Sequence, residues 1–101
     1  MIAYMVFTRE KTVDPGEMKL YAEQAAGANG DFPLTPLALY GKLDVLEGAP
    51  FEGSVILSFP SREEARAWYE SPAYQAAREH RLKGAEYRVF LIDGIDTPAP
   101  K

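Results

Sequence analysis

Apolar positions along the chain alternate between a two-residue and a three-to-four-residue period, and the switches mark its elements. Ala3–Arg9 (AYMVFTR) reads as a strand, with Tyr4, Val6 and Thr8 on one face and Met5 and Phe7 on the other. Both faces are largely apolar, as in a central strand covered on two sides. Asp14-Pro15-Gly16-Glu17 opens a helix: Asp14 can cap it, Pro15 fits the first helical position and Glu17 the third. Met18, Tyr21, Ala22 and Ala25 then form one apolar face, and Gly27 is the expected stop. Ala28–Pro36, with Asn-Gly and two prolines, reads as a loop rather than a strand. Leu37–Leu46 is a strand candidate in which Gly41 marks a bulge, a bend or a close backbone approach. Glu47–Gly53 is a turn region, and Ser54–Phe59 (SVILSF) is a short strand expected to pair antiparallel with the preceding one.

Ser61-Arg62-Glu63-Glu64 has the form of a capping box, with Ala65, Trp68 and Tyr69 as the apolar stripe behind it. Ser71-Pro72 ends that helix and starts another, because proline lacks the amide donor yet suits a first turn. In the restarted segment Tyr74, Ala77, Arg78 and Arg81 share one side, and Gly84 is the expected stop. Tyr87–Asp93 (YRVFLID) closes the pattern as a strand apolar on both faces. Residues 1–95 read as a single domain, and residues 96–101 as a flexible Pro-rich tail.

The resulting order is βαββαβ, an α+β arrangement of the ferredoxin-like type: a four-stranded antiparallel sheet with its helices on one face. Helices on one face leave the other uncovered, yet three of the four strands carry large apolar groups on both sides. A homodimer packed sheet on sheet is the simplest cover, with a ligand-lined face as the alternative.

Composition narrows the classes. At 101 residues the chain has the usual length of one domain. It has no Cys, which excludes a disulfide framework, a thiolate metal site and a Cys nucleophile. The net charge of −4 and pI near 4.9 oppose binding to nucleic acid or anionic membranes. No apolar run approaches the roughly 18–20 residues needed to span a bilayer. The N-terminal MIAYMVFTRE lacks the basic region of a secretory signal, so a cytoplasmic protein is expected.

The run Tyr40–Gly94 carries a resemblance. Leu46-Glu47-Gly48, the strand ending in Phe59-Pro60-Ser61, the string Ala65-x-x-Trp68-Tyr69-x-Ser71-Pro72-x-Tyr74, then Arg78 and the strand before Asp93-Gly94 resemble the DUF1330 family, and Tyr4 also fits. The match covers Ala3 to Ile95. The resemblance implies a dimeric α+β barrel, and the family name carries no established activity. Gly27–Pro36 departs from the pattern, since many members have a shorter Gly-Gly link there.

Several residues could carry chemistry. His80 is the sole imidazole. It is a weak catalytic candidate, as a general base or ligand contact, set against a structural role as a cation-capable group near a helix C-terminus. Without a second His or any Cys, a metal or haem site has little support, and no cofactor is expected. Arg78 shares a helix face with Tyr74 and could hold an anionic ligand, or else form an ion pair, for example with Glu47. Asp44 and Glu47 fall on opposite strand faces at a spacing of three, which opposes paired acid–base work. Glu47 is better placed to bond backbone or an Arg at a strand end. Six Tyr suggest phenol groups around a pocket, although packing explains each one singly. Trp68 reads as core. Gly27-x-x-Gly30 follows a helix rather than a strand and so lacks the setting of a phosphate loop.

Two functions follow as expectations. The first is a dimer that binds a small organic molecule, anionic or aromatic, in a cleft between sheet and helices, lined by Tyr4, Tyr40, Tyr74, Arg78 and Glu47. By superfamily analogy this extends to a cofactor-free isomerase or monooxygenase. The second is a non-catalytic accessory dimer whose Tyr and Arg residues are structural. RNA binding ranks third, opposed by the acidic charge and by strands without an RNP-like aromatic string.

Overall fold

The computed structural model describes residues 1–95, so the tail expected at 96–101 lies outside the described residues. The elements are β1 (Ala3–Thr12), α1 (Pro15–Gly27), β2 (Thr35–Leu39), β3 (Gly53–Phe59), α2 (Arg62–Tyr69), α3 (Pro72–Gly84) and β4 (Ala85–Asp93). The four strands form one antiparallel sheet in the order β2-β3-β1-β4. This is the α+β, ferredoxin-like arrangement expected from the pattern, with the second helix divided in two.

The local signals explain the helix boundaries. Asp14 Oδ1 accepts hydrogen bonds from the amides of Gly16 at 3.0 Å and Glu17 at 3.3 Å, satisfying donors that the first turn leaves open. Ser61 Oγ accepts from the Glu64 amide at 3.1 Å. Ser71 Oγ donates to the Trp68 carbonyl at 2.7 Å and accepts from the Tyr74 amide at 3.3 Å, so one side chain closes α2 and opens α3.

Strand β2 departs from expectation. It spans Thr35–Leu39 rather than Leu37–Leu46, and it takes in Thr35 and Pro36, which read as loop. Proline is tolerated because β2 is an edge strand whose outer amides need no partner. The strand ends because Tyr40 adopts a left-handed conformation (φ 54°), so the chain bends one residue before Gly41. A register irregularity falls between Pro36 and Ala38. Strands β1, β3 and β4 begin or end one to three residues beyond the predicted limits.

Alternation along the strands separates two faces. Met5, Phe7, Val55, Leu57 and Phe59 point toward the helices and pack with Met18, Tyr21, Ala65, Trp68, Tyr74 and Ala77. On the opposite face Tyr4, Val6 and Ile56 are half-buried, while Phe90 and Ile92 are 48% and 52% exposed. Helix α1 meets the rest mainly through α3, so its inner face stands over the sheet without closing on it.

Gly84 sits where α1 and β4 meet. Its carbonyl accepts from the amides of Val13 at 2.7 Å and Asp14 at 2.9 Å. A Cβ there would lie 2.8 Å from Met18 Sδ and 3.1 Å from the Met18 amide nitrogen. The sulfur can move but the backbone cannot. Gly84→Ala is therefore expected to destabilise the fold by about 1–3 kcal/mol, measured by urea denaturation. Unchanged stability would show that α1 shifts freely at this end.

Candidate functional site

The space under α1 is the candidate site. Its inner face carries Ala22, Ala25 and Ala26, short side chains that line the space together with Phe7, Val55 and Leu57 of the sheet. A cavity of about 380 Å³ remains, within the size range of small-molecule sites. Interiors otherwise pack with few voids, so a gap of this size is a feature of this helix sequence.

One end of the cavity is aromatic. Trp68 and Tyr74 stack with centroids 4.3 Å apart, and Phe7 meets both rings edge-on at 6.3 and 6.4 Å. The hydroxyls of Tyr21 and Tyr74 hydrogen-bond at 2.8 Å. Burial pushes both phenols above their usual range, with the neighbouring phenol adding to the rise at Tyr21. Near neutral pH they are hydroxyls, not phenolate bases. Trp68 Nε1 is buried and has no hydrogen-bond partner among the described residues.

Behind this wall lies Arg81, only 4% exposed. Its guanidinium carbon stands 5.1 Å from the Tyr87 ring centroid and 5.9 Å from that of Phe7. Burial opposes its charge, but the phenol oxygens of Tyr74 and Tyr21 outweigh burial and hold it above the ordinary range. Its Nε has no hydrogen-bond partner among the described residues. The ion pairs among the described residues are Arg9–Glu52, Arg62–Asp93, Arg66–Glu70 and His80–Glu17, so no carboxylate pairs with Arg81.

The other end is more open. The Tyr40 ring lies against Gly53, where a Cβ would fall 2.8 Å from its Cδ1, and this close approach requires glycine. Arg9 stacks 4.6 Å above the Tyr40 ring and places Nε 3.3 Å from Glu52 Oε1. Glu52 accepts from the Thr12 hydroxyl and from its amide at 2.8 Å, and these bonds hold its carboxyl below the usual range. The Tyr40 hydroxyl bonds that of Tyr87, which burial pushes up.

The candidate residues divide. Tyr40 and Tyr74 line the cavity. Tyr4 lies on the opposite sheet face. Arg78 is outside the lining and donates from Nε to the Tyr69 hydroxyl at 2.9 Å. Glu47 is exposed in the loop after β2 and makes no ion pair with Arg78. His80 joins two helices: Nδ1 lies 2.6 Å from Glu17 Oε2, and Nε2 lies 3.1 Å from Gln24 Nε2, both on α1. Trp68 is core, at 3% exposure, and also lines the cavity. Arg9, Tyr21 and Arg81 were not singled out as site residues, although Arg81 stands seven residues after Tyr74 on the same helix side.

Among the described residues no carboxylate or imidazole lines the cavity; its polar groups come from Arg9, Asn29, Trp68 and the tyrosines. Among the described residues there is no grouping of three or more His, Cys, Asp or Glu that could hold a metal ion. No described helix is long and apolar enough to cross a membrane. The arrangement can enclose a flat apolar molecule and offer it a few hydroxyl or N–H donors.

Residues 2–95 match DUF1330, a domain of unknown function. No curated protein matches the chain. Among solved structures, a dimeric ferredoxin-like protein of unknown function from Jannaschia sp. CCS1 aligns with a TM-score of 0.73 at 15% identity, covering 93% of this chain and all (100%) of that one. A protein of unknown function from Rhodopseudomonas palustris aligns with a TM-score of 0.71 at 13% identity, over 95% of this chain and 84% of that one. A cofactor-independent oxygenase from Streptomyces nogalater aligns with a TM-score of 0.59 at 14% identity, over 95% of each. At these identities the likeness is one of fold.

Proposed function

The chain belongs to the DUF1330 family, and from that premise we propose that it is a small-molecule-binding protein whose cleft under α1 takes up a compact, mainly apolar organic ring compound. The observation that carries this reading is the cavity of about 380 Å³ itself, walled by aromatic and alanine side chains with few polar groups. Binding is favoured over catalysis because the lining has no carboxylate or imidazole to move a proton, and burial keeps Tyr21 and Tyr74 protonated. Arg78, Tyr4 and Glu47 have no part in this version of the site, and His80 serves as a tie between α1 and α3.

The working unit in this reading is a homodimer joined through the sheet face that bears Val6, Ile56, Phe90 and Ile92. The apolar character of that face and the dimeric state of the Jannaschia relative support it. A Cys-free chain suits the cytoplasm, where we place it.

A thermal-shift screen with ring compounds of one to three rings tests the site. A ligand at 100 times its Kd should stabilise the protein by about 2.7 kcal/mol. Ala22→Trp, which fills the cleft from an exposed helix position, should abolish the shift. A screen without hits, or shifts that survive in Ala22→Trp, would sink the reading. Oxygen uptake dependent on a bound compound would instead mark the protein as an oxygenase like its Streptomyces relative.

A further inference from the structure

A cation buried without a carboxylate is costly, and most such groups are paired. Arg81 is such a cation. The groups packed around it are Tyr21 from α1, Tyr69 from α2, Tyr74 from its own helix, Phe7 from β1 and Tyr87 from β4. None of these is a carboxylate, and among the described residues no carboxylate pairs with Arg81. The positive charge is therefore uncompensated, and it lies directly behind the wall of the cavity formed by Phe7, Tyr21 and Tyr74.

The tyrosine pair fixes what this charge can meet. Two hydroxyls hold two hydrogens, and one is used between Tyr21 and Tyr74. One hydrogen is left to donate. A carboxylate or phosphate engages an arginine through a two-pronged face, and here the guanidinium is not part of the lining. A single donor backed by a buried charge suits a single oxygen that bears a negative charge. The aromatic walls of Trp68, Phe7 and Tyr74 suit a flat ring next to it.

We propose that Arg81 is the hidden counter-charge of the cleft, and that the cleft selects ring compounds with an acidic hydroxyl, a phenol or an enol, and binds them as their anions through the Tyr21–Tyr74 pair. This rests on the cavity being a binding site. The proton lost by the ligand goes to solvent, so uptake of the neutral compound releases one proton. Arg81 acts at a distance, as a positioning and specificity residue rather than a contact.

The probe is 4-nitrophenol, whose anion absorbs at longer wavelength than the neutral form, together with its methyl ether 4-nitroanisole, which cannot ionise. Each is titrated into the full-length protein, with calorimetry for binding and absorbance for ionisation. Bound 4-nitrophenol is expected to ionise at least about one pH unit lower than the free probe, which is a tenfold preference for the anion. Arg81→Met should still bind 4-nitroanisole but lose that preference, while Arg81→Lys should keep much of it. Arg9 also lines the cavity and is the rival source of positive charge, so Arg9→Met is measured beside it, and Arg66→Met, exposed on α2 and outside that lining, is the control that should keep the preference.

Bound 4-nitrophenol that ionises like the free probe in the wild type would overturn the proposal and leave the cavity reading standing. A preference that persists in Arg81→Met, or disappears in Arg9→Met, would also overturn it. If neither compound binds the wild type, the cavity reading falls as well. Should Arg81→Met not fold, the double variant Tyr21→Phe/Tyr74→Phe decides instead: loss of both hydroxyls must weaken 4-nitrophenol and spare 4-nitroanisole, and equal effects on both would refute the anion site.

Discussion

Trp68→Ala is expected to destabilise the fold by about 3–5 kcal/mol, the cost of removing a large aromatic from a packed core. Trp68 stands where α2, α3 and the sheet meet. It touches Phe7 from β1, Phe59 from β3 and Tyr74 from α3, with ring centroids 6.3, 5.7 and 4.3 Å away. It also borders a cavity that already exists. Truncation would merge a new void with the old one, and the aromatic cluster that faces the cavity would lose its anchor. Chemical denaturation should show a lower midpoint, and thermal melting should fall by roughly 4–8 °C for each kcal/mol lost in a domain of this size. Part of that loss should be recovered by a ring ligand that enters the enlarged space, because binding to the native state alone stabilises it. Unchanged stability would mean that Trp68 serves the ligand and not the core.

How far the sequence shows this site depends on the kind of signal each part leaves. The helix boundaries were legible because Asp14, Ser61 and Ser71 act locally: each accepts from amides two or three residues ahead, whatever the rest of the chain does. The two-faced strands were legible because alternation is a local period. The end of β2 was not, because it rests on Tyr40 taking a left-handed conformation against Gly53, thirteen residues away in sequence but adjacent in the sheet. Glycine at 41 attracted the bend that glycine at 53 makes possible.

The site shows the same limit. Tyr74 and Arg81 share a helix side by spacing, and so do Tyr74 and Arg78. Periodicity cannot say which arginine turns inward. The packing of α3 decides it: Arg81 meets β4 at Tyr87, while Arg78 turns toward Tyr69 of α2. The cavity itself leaves a faint mark, the run of alanines Ala22, Ala25 and Ala26, which reads as a good helix former until the distance to the sheet is known. His80 had two open readings because its partners, Glu17 and Gln24, lie on a helix far away in sequence.

Phe90→Asp is expected to turn a dimer into a monomer. The register aligns Ile56, Val6 and Phe90 across β3, β1 and β4, with Tyr4 and Ile92 side by side in the next row. These side chains form one apolar surface on the face away from the helices, and Phe90 is 48% exposed there. A two-fold axis through that face would place every substitution in the interface twice. A carboxylate at position 90 would be solvated in the monomer, so its cost to the fold should be small. In the dimer it would be buried twice against the apolar side chains of both copies, at a cost of several kcal/mol. Light scattering at micromolar concentration should therefore report a dimer for the wild type and a monomer for Phe90→Asp. The melting temperature should depend on protein concentration in the first and not in the second. A wild-type monomer would refute the dimer outright. A Phe90→Asp dimer as stable as the wild type would place the contact elsewhere, and the apolar sheet face would then need another occupant. The result also bears on the cleft, because the cavity lies on the helix side of the same sheet. A monomeric Phe90→Asp protein that still binds ring compounds would show that each chain holds a complete site, with the dimer serving to cover the second face of the strands.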